Sequence, residues 1–155
     1  MPIRIVKPSP SYAKPSAYRR VRASDLPAIM TPGSPRPHVP LTLLVKEWDY
    51  FPEDRTAMIE EEPEGPDPDD LCRIAAVVHA LCSRDRIPIP DWVRRHRSAI
   101  PIAWDRSCVM HGFIWDRTVE NAPPACEYHN VWFDYQFISS ERRRITKDNY
   151  MEFTR

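Results

Sequence analysis

The sequence predicts a predominantly helical α+β fold: one small domain of three or four short helices, then an irregular, Pro- and Trp-rich C-terminal half. Three observations carry that expectation. Between residues 41 and 85 the apolar residues recur at helical spacing, and beyond residue 98 that period fades. Prolines are dense, eighteen in 155 residues, and each disfavours helix in the residue before it. The length suits one domain with a single core.

Residues 1–38 are expected to form a disordered, Pro-rich basic tail, and residues 39–150 a single globular domain. The first forty residues hold nine of the prolines, and their apolar residues are sparse, so little burial opposes the chain entropy. The fold is expected to begin at Pro40. "LTLLVKEWDYF" places Leu41, Leu44, Val45, Trp48 and Phe51 on one helical stripe. Pro52 opens a second short helix, with Glu53 and Asp54 at the positive end of its dipole and Met58 and Ile59 facing inward.

The acidic, turn-rich "EEPEGPDPDD" precedes the strongest helix, "LCRIAAVVHALCSRD", for which Asp69 or Asp70 is the expected cap. Leu71, Ile74, Ala75, Val78, Leu81 and Cys82 share its apolar face. Cys72, His79 and Cys82 lie along this helix and read as packing residues before they read as metal ligands. Pro88 and Pro90 then impose an extended crossing, after which Asp91 caps a turn or two holding Trp92 and Val93. Trp48, Val78, Leu81 and Trp92 are expected in the core. "AIPIAWDR" and "GFIWDR" share a Trp-Asp-Arg triplet at Trp104 and Trp115, and both are expected to be extended. "HNVWFDYQFI" reads as a strand or buried turn entering a short helix, and a last helix is expected from Ser140.

Composition removes several function classes. Three glycines, Gly33, Gly65 and Gly112, write neither a phosphate loop nor a dinucleotide fingerprint. No apolar run approaches the roughly twenty residues of a membrane span, and the N-terminus lacks a signal-peptide core. Four cysteines make no dense disulfide framework, which predicts a cytoplasmic protein with free or metal-bound thiols. Net charge is zero, yet residues 1–40 carry seven Lys/Arg against Asp25, while residues 46–70 carry eleven Asp/Glu against Lys46 and Arg55. These blocks neutralise one another or meet different partners.

Two patterns bear on chemistry. Trp92 with Arg94, Arg95 and Arg97 combines an aromatic with cations, a candidate partner-binding patch suited to an acidic protein surface or to nucleic acid. Cys108-x2-His111 and Cys126-x2-His129, fourteen residues apart, meet the ligand count and short spacing of a structural zinc site. The competing reading makes them core residues, with His129 hydrogen-bonded and no cofactor. A Cys108 or Cys126 nucleophile with His111 or His129 as base can also be drawn. It lacks a third member and an oxyanion turn, so no enzyme is expected.

"LLVKEWDYFPEDRTAMIEEEPEGPDPDDLCRIAAVVHALCSRDRIPIPDWV" and "APPACEYHNVWFD" resemble, over residues 41–135, a poorly characterised actinobacterial group of regulatory, antitoxin-like proteins. Its pattern is a Leu-rich helix, an "EEP" segment, an Ala-rich helix leading into a Pro-x-Pro-x-Trp run, and an Asn-Val-Phe element. Some members carry a helix-turn-helix ahead of this region, where this chain has its proline-rich segment. The group commonly has an apolar residue in place of Cys126. The resemblance implies a compact helical interaction module from a toxin–antitoxin or mobile-element setting, and it assigns no catalytic residue. The expected function is therefore non-enzymatic regulation through a protein partner, a toxin or host factor. A small zinc-stabilised nucleic-acid-binding domain is the alternative.

Overall fold

A computed structural model of the chain describes residues 20–30, 38–105 and 108–139. Among the described residues six helices alternate with short 3-10 turns: α1 (Leu26–Ile29), α2 (His38–Tyr50), α3 (Arg55–Ile59), α4 (Pro68–Asp85), α5 (Phe113–Glu120) and α6 (Pro124–His129). Two short strands, β1 (Ile102–Ala103) and β2 (Val131–Trp132), pair in parallel with Ile102 opposite Val131. The fold is thus mostly α with a small β element. It has more helices than the three or four expected.

α4 is the centre of the molecule. Its cap is Asp67, not Asp69 or Asp70: the Asp67 carboxylate accepts from the Asp69 N–H at 3.0 Å, and Pro68 fills the first helical position. Arg86 ends the helix in the left-handed region (φ 60°), and the Ile87 N–H returns to the Cys82 carbonyl at 2.9 Å. Of the expected stripe, Ile74, Ala75, Val78, Leu81 and Cys82 are buried and Leu71 is half-buried, while Ala76, Val77 and Ala80 are buried as well. A helix apolar nearly all round is surrounded by other elements.

Leu41, Leu44, Val45 and Trp48 of α2, Met58 and Ile59 of α3, and Trp92 and Val93 all join that core. Trp92 and Val93 sit in a 3-10 turn, Asp91–Arg95, and Asp91 makes no side-chain cap there. On another flank lies α6, which contributes Ala125, Cys126 and His129. The small side chains of Ala76 and Ala80 on α4 let such neighbours approach closely.

The expected boundary at residue 39 is corrected. Val21, Ala23, Leu26 and Met30 are buried in the same core cluster, so residues 20–30 belong to the folded domain. The Val21 N–H bonds Glu47 on α2 at 2.7 Å, and Arg20 pairs with Asp54 at 3.0 Å. Residues 1–19 and 31–37, the rest of the expected tail, lie outside the described residues, as does the helix expected from Ser140.

The C-terminal half divides. Within "AIPIAWDR" the two residues Ile102–Ala103 are extended and form β1, while β2 begins in "HNVWFDYQFI" and is followed by a 3-10 turn, Tyr135–Ile138. "GFIWDR" is not extended; it forms the start of α5, entered through Gly112 at φ 93°. A parallel pair requires a crossover, and α5 and α6 supply it. Buried Arg73 ties β1 to α4: its Nε donates to the Ala103 carbonyl at 2.9 Å, and Asp70 holds its guanidinium at 2.8 Å.

Candidate functional site

The four residues of the proposed zinc pattern are not brought together. Among the described residues no group of three or more His, Cys, Asp or Glu side chains is placed to hold a metal ion. Their sequence spacing is short within each pair, but one pair lies toward the surface and the other in the interior. His111 is exposed and Cys108 half-buried, whereas Cys126 and His129 are buried on α6. The Cys126 thiol points at the Phe133 carbonyl (3.7 Å), and burial pushes its pKa up to about 12, away from a free thiolate nucleophile. Along α4, Cys72 and Cys82 are likewise buried, with thiol pKa values raised chiefly by burial.

The expected partner patch is also dispersed. Trp92 is buried, and its indole N–H donates to the Ile59 carbonyl at 2.9 Å. Arg95 pairs with Glu62 at 2.7 Å, and Arg97 lies 4.3 Å over the Tyr128 ring while donating to the Tyr128 carbonyl. Arg94 lines a groove between α4, the Asp91–Arg95 turn, α6 and the Tyr135–Ile138 turn. Its lining includes His79, Ser83, Arg94, Pro124, Tyr135 and Ile138, and its volume is about 550 Å³.

Behind the wall of this groove runs a directed hydrogen-bond chain. His129 Nδ1 lies 2.6 Å from the His96 carbonyl, and His129 Nε2 lies 2.9 Å from His79 Nδ1. A carbonyl only accepts, so the His129 hydrogen sits on Nδ1 and Nε2 is a lone pair. His79 Nδ1 must then donate, which leaves His79 Nε2 as an acceptor on a residue of the groove wall. Burial drives the His129 pKa down to about 4 against the His96 carbonyl bond, helped by the nearby His79, Arg97 and His96. Burial, then the Arg94 charge, lowers that of His79. Both rings are therefore neutral at physiological pH.

This pairing joins residues fifty positions apart and was missed in the sequence. His79 stands out there only as a polar interruption of an apolar helix. The rings are further fixed by Tyr128, whose centroid lies 5.5 Å from that of His79 and 4.8 Å from that of His129. The Tyr128 hydroxyl donates to the Arg94 carbonyl at 3.1 Å.

A second surface is apolar and uncovered. None of the eight residues of α5 is buried. Phe113 and Ile114 are each 69% exposed, Val109 is 59% exposed, and Met110 and Val119 are also exposed. Sequence reading gave this stretch no role, because a strand or core segment would show the same residue types. Comparison with protein-family models, curated proteins and solved structures finds no match to this chain.

Proposed function

We propose that this chain is a non-enzymatic regulatory module, antitoxin-like in the manner of the group it resembles, and that it grips a protein partner through the apolar segment ending in α5. One observation carries the reading: an eight-residue helix with no buried residue displays Phe113 and Ile114 beside exposed Val109 and Met110. A helix this short is marginal in water without packing on an apolar face. Clustered exposed apolar side chains mark interaction surfaces, and helix-in-groove docking uses such anchors.

The partner chemistry follows from the flanks. Asp116 and Glu120 stand one turn apart on α5 and are exposed, while exposed Arg117 lies 5.6 Å from the Phe113 ring centroid, so the receiving groove is apolar with a rim that answers both charges. The Trp92, Arg94, Arg95 and Arg97 patch is not the grip on this reading, since Trp92 is buried and two of the arginines are engaged within the chain. The zinc-stabilised nucleic-acid alternative gains no support from the separated Cys and His residues.

Photo-crosslinking tests the proposal. A crosslinker at Ile114 should capture a discrete protein that a crosslinker at exposed Thr56 does not. That protein, purified, should rebind wild-type chain and lose binding to Phe113→Glu. Equal capture from both positions, or unchanged binding by Phe113→Glu, would contradict the proposal.

A further inference from the structure

We infer that the groove beside His79 is a second binding site, for a small organic acid with a hydroxyl donor and a planar apolar body. The donor is required by the His79 ring. Its Nδ1 hydrogen is committed to His129, whose own hydrogen is committed to the His96 carbonyl, so His79 Nε2 is left as a lone pair. A ligand hydroxyl satisfies that lone pair; a carboxylate does not.

The acid group is assigned to Arg94. Among the described residues no hydrogen bond or ion pair holds its guanidinium, which offers a planar fork to a carboxylate. Arg84 also lines the groove but cannot serve. Its guanidinium is committed to Asp49 (2.5 Å), Asp85 (2.6 Å) and the Ile138 carbonyl. Between the two polar ends the walls are Pro123, Pro124, Tyr135 and Ile138, which suit a flat apolar body. The volume of about 550 Å³ falls within the range of small-molecule sites.

The site is also pre-formed. Tyr128 edges against His79, its hydroxyl is bonded to the Arg94 carbonyl, and Arg97 covers its ring. Little freedom is lost at His79 and Tyr128 when a ligand enters, which favours affinity, and the ordering cost falls on the Arg94 side chain. α5 contributes nothing to the lining, so the inference stands apart from the partner reading.

Nuclear magnetic resonance titration of the full chain tests it. The probes are 4-hydroxybenzoate, 4-hydroxyphenylacetate and 3-(4-hydroxyphenyl)propionate, which span a range of separations between hydroxyl and carboxylate. Each is compared with its analogue lacking the hydroxyl and with its 4-methoxy ether, which keeps an acceptor but no donor. At least one hydroxy acid should shift the Ala80, Ser83, Ala125 and Tyr135 amides saturably, binding about tenfold tighter than either analogue. Arg94→Ala should weaken it about tenfold while leaving the amide spectrum otherwise intact. His79→Phe should abolish the preference for the hydroxyl. Should that variant not fold, the methoxy ethers make the same comparison on wild-type chain. No saturable shift with any of the three acids, or equal binding of hydroxy and methoxy forms, would overturn the inference.

Discussion

His129 holds a fully buried imidazole between two fixed partners, and its chemistry dictates a pH dependence. The groups around it are His79 from α4, the His96 carbonyl and Arg97 from the segment after Val93, Tyr128 on its own helix, and Glu62 bonded to the His96 ring. Protonating Nε2 would set a hydrogen against the one on His79 Nδ1. The folded-state pKa is depressed to about 4, below the ordinary value of 6.5, so between those values the unfolded chain binds more protons. Stability is fully present above the unfolded value and drains as pH falls toward the folded one. From pH 7.5 to 5 the expected loss is about 2 kcal/mol, with His79 adding in the same direction. Urea midpoints across that range measure it, and a flat profile would mean that His129 is not held as described. Little of this was legible in the sequence. Cys-x2-His spacing reports neighbours along a turn, whereas the relation that fixes His129 spans fifty residues.

Among the elements, those with a strong period were readable and those without it were not. α2 and α4 repeat apolar residues every three or four positions, and most residues so marked are buried, Leu44, Trp48, Val78 and Leu81 among them, while Phe51 and Leu71 at the stripe ends are half-buried. α1 escaped because Val21, Ala23, Leu26 and Met30 are scattered among prolines and arginines, too few to form a stripe. α5 was taken for an extended segment because its Trp-Asp-Arg triplet matches the one that follows β1; triplet identity is weaker than the left-handed turn at Gly112 that starts a helix. The burial of α1 yields a prediction. Leu26→Ala should cost about 2–5 kcal/mol, as should Leu81→Ala on α4, since both side chains are fully buried. Denaturant unfolding of the two variants checks it. A loss below about half a kcal/mol for Leu26→Ala would restore the reading of residues 20–30 as tail.

At the scale of the molecule, among the described residues, the segregated charges answer one another in part. Arg20 meets Asp54, Arg84 meets Asp49 and Asp85, Arg55 meets Asp85, and Arg95 and His96 share Glu62. The acidic segment is thus partly neutralised within the chain, one of the two outcomes its charge pattern allowed. No helix among the described residues is long and apolar enough to cross a membrane. Among the outward-facing features of the described residues are the apolar segment around α5 and the groove at Arg94. Calorimetric titration of the crosslinked partner, once purified, into wild-type chain and Ile114→Glu decides whether α5 holds a protein partner. Ile114 is exposed and contributes nothing to the core, so the substitution should leave the thermal midpoint unchanged. Affinity should fall at least about thirtyfold, a loss of about 2 kcal/mol typical of a central interface anchor. Equal affinities for the two chains would contradict the claim.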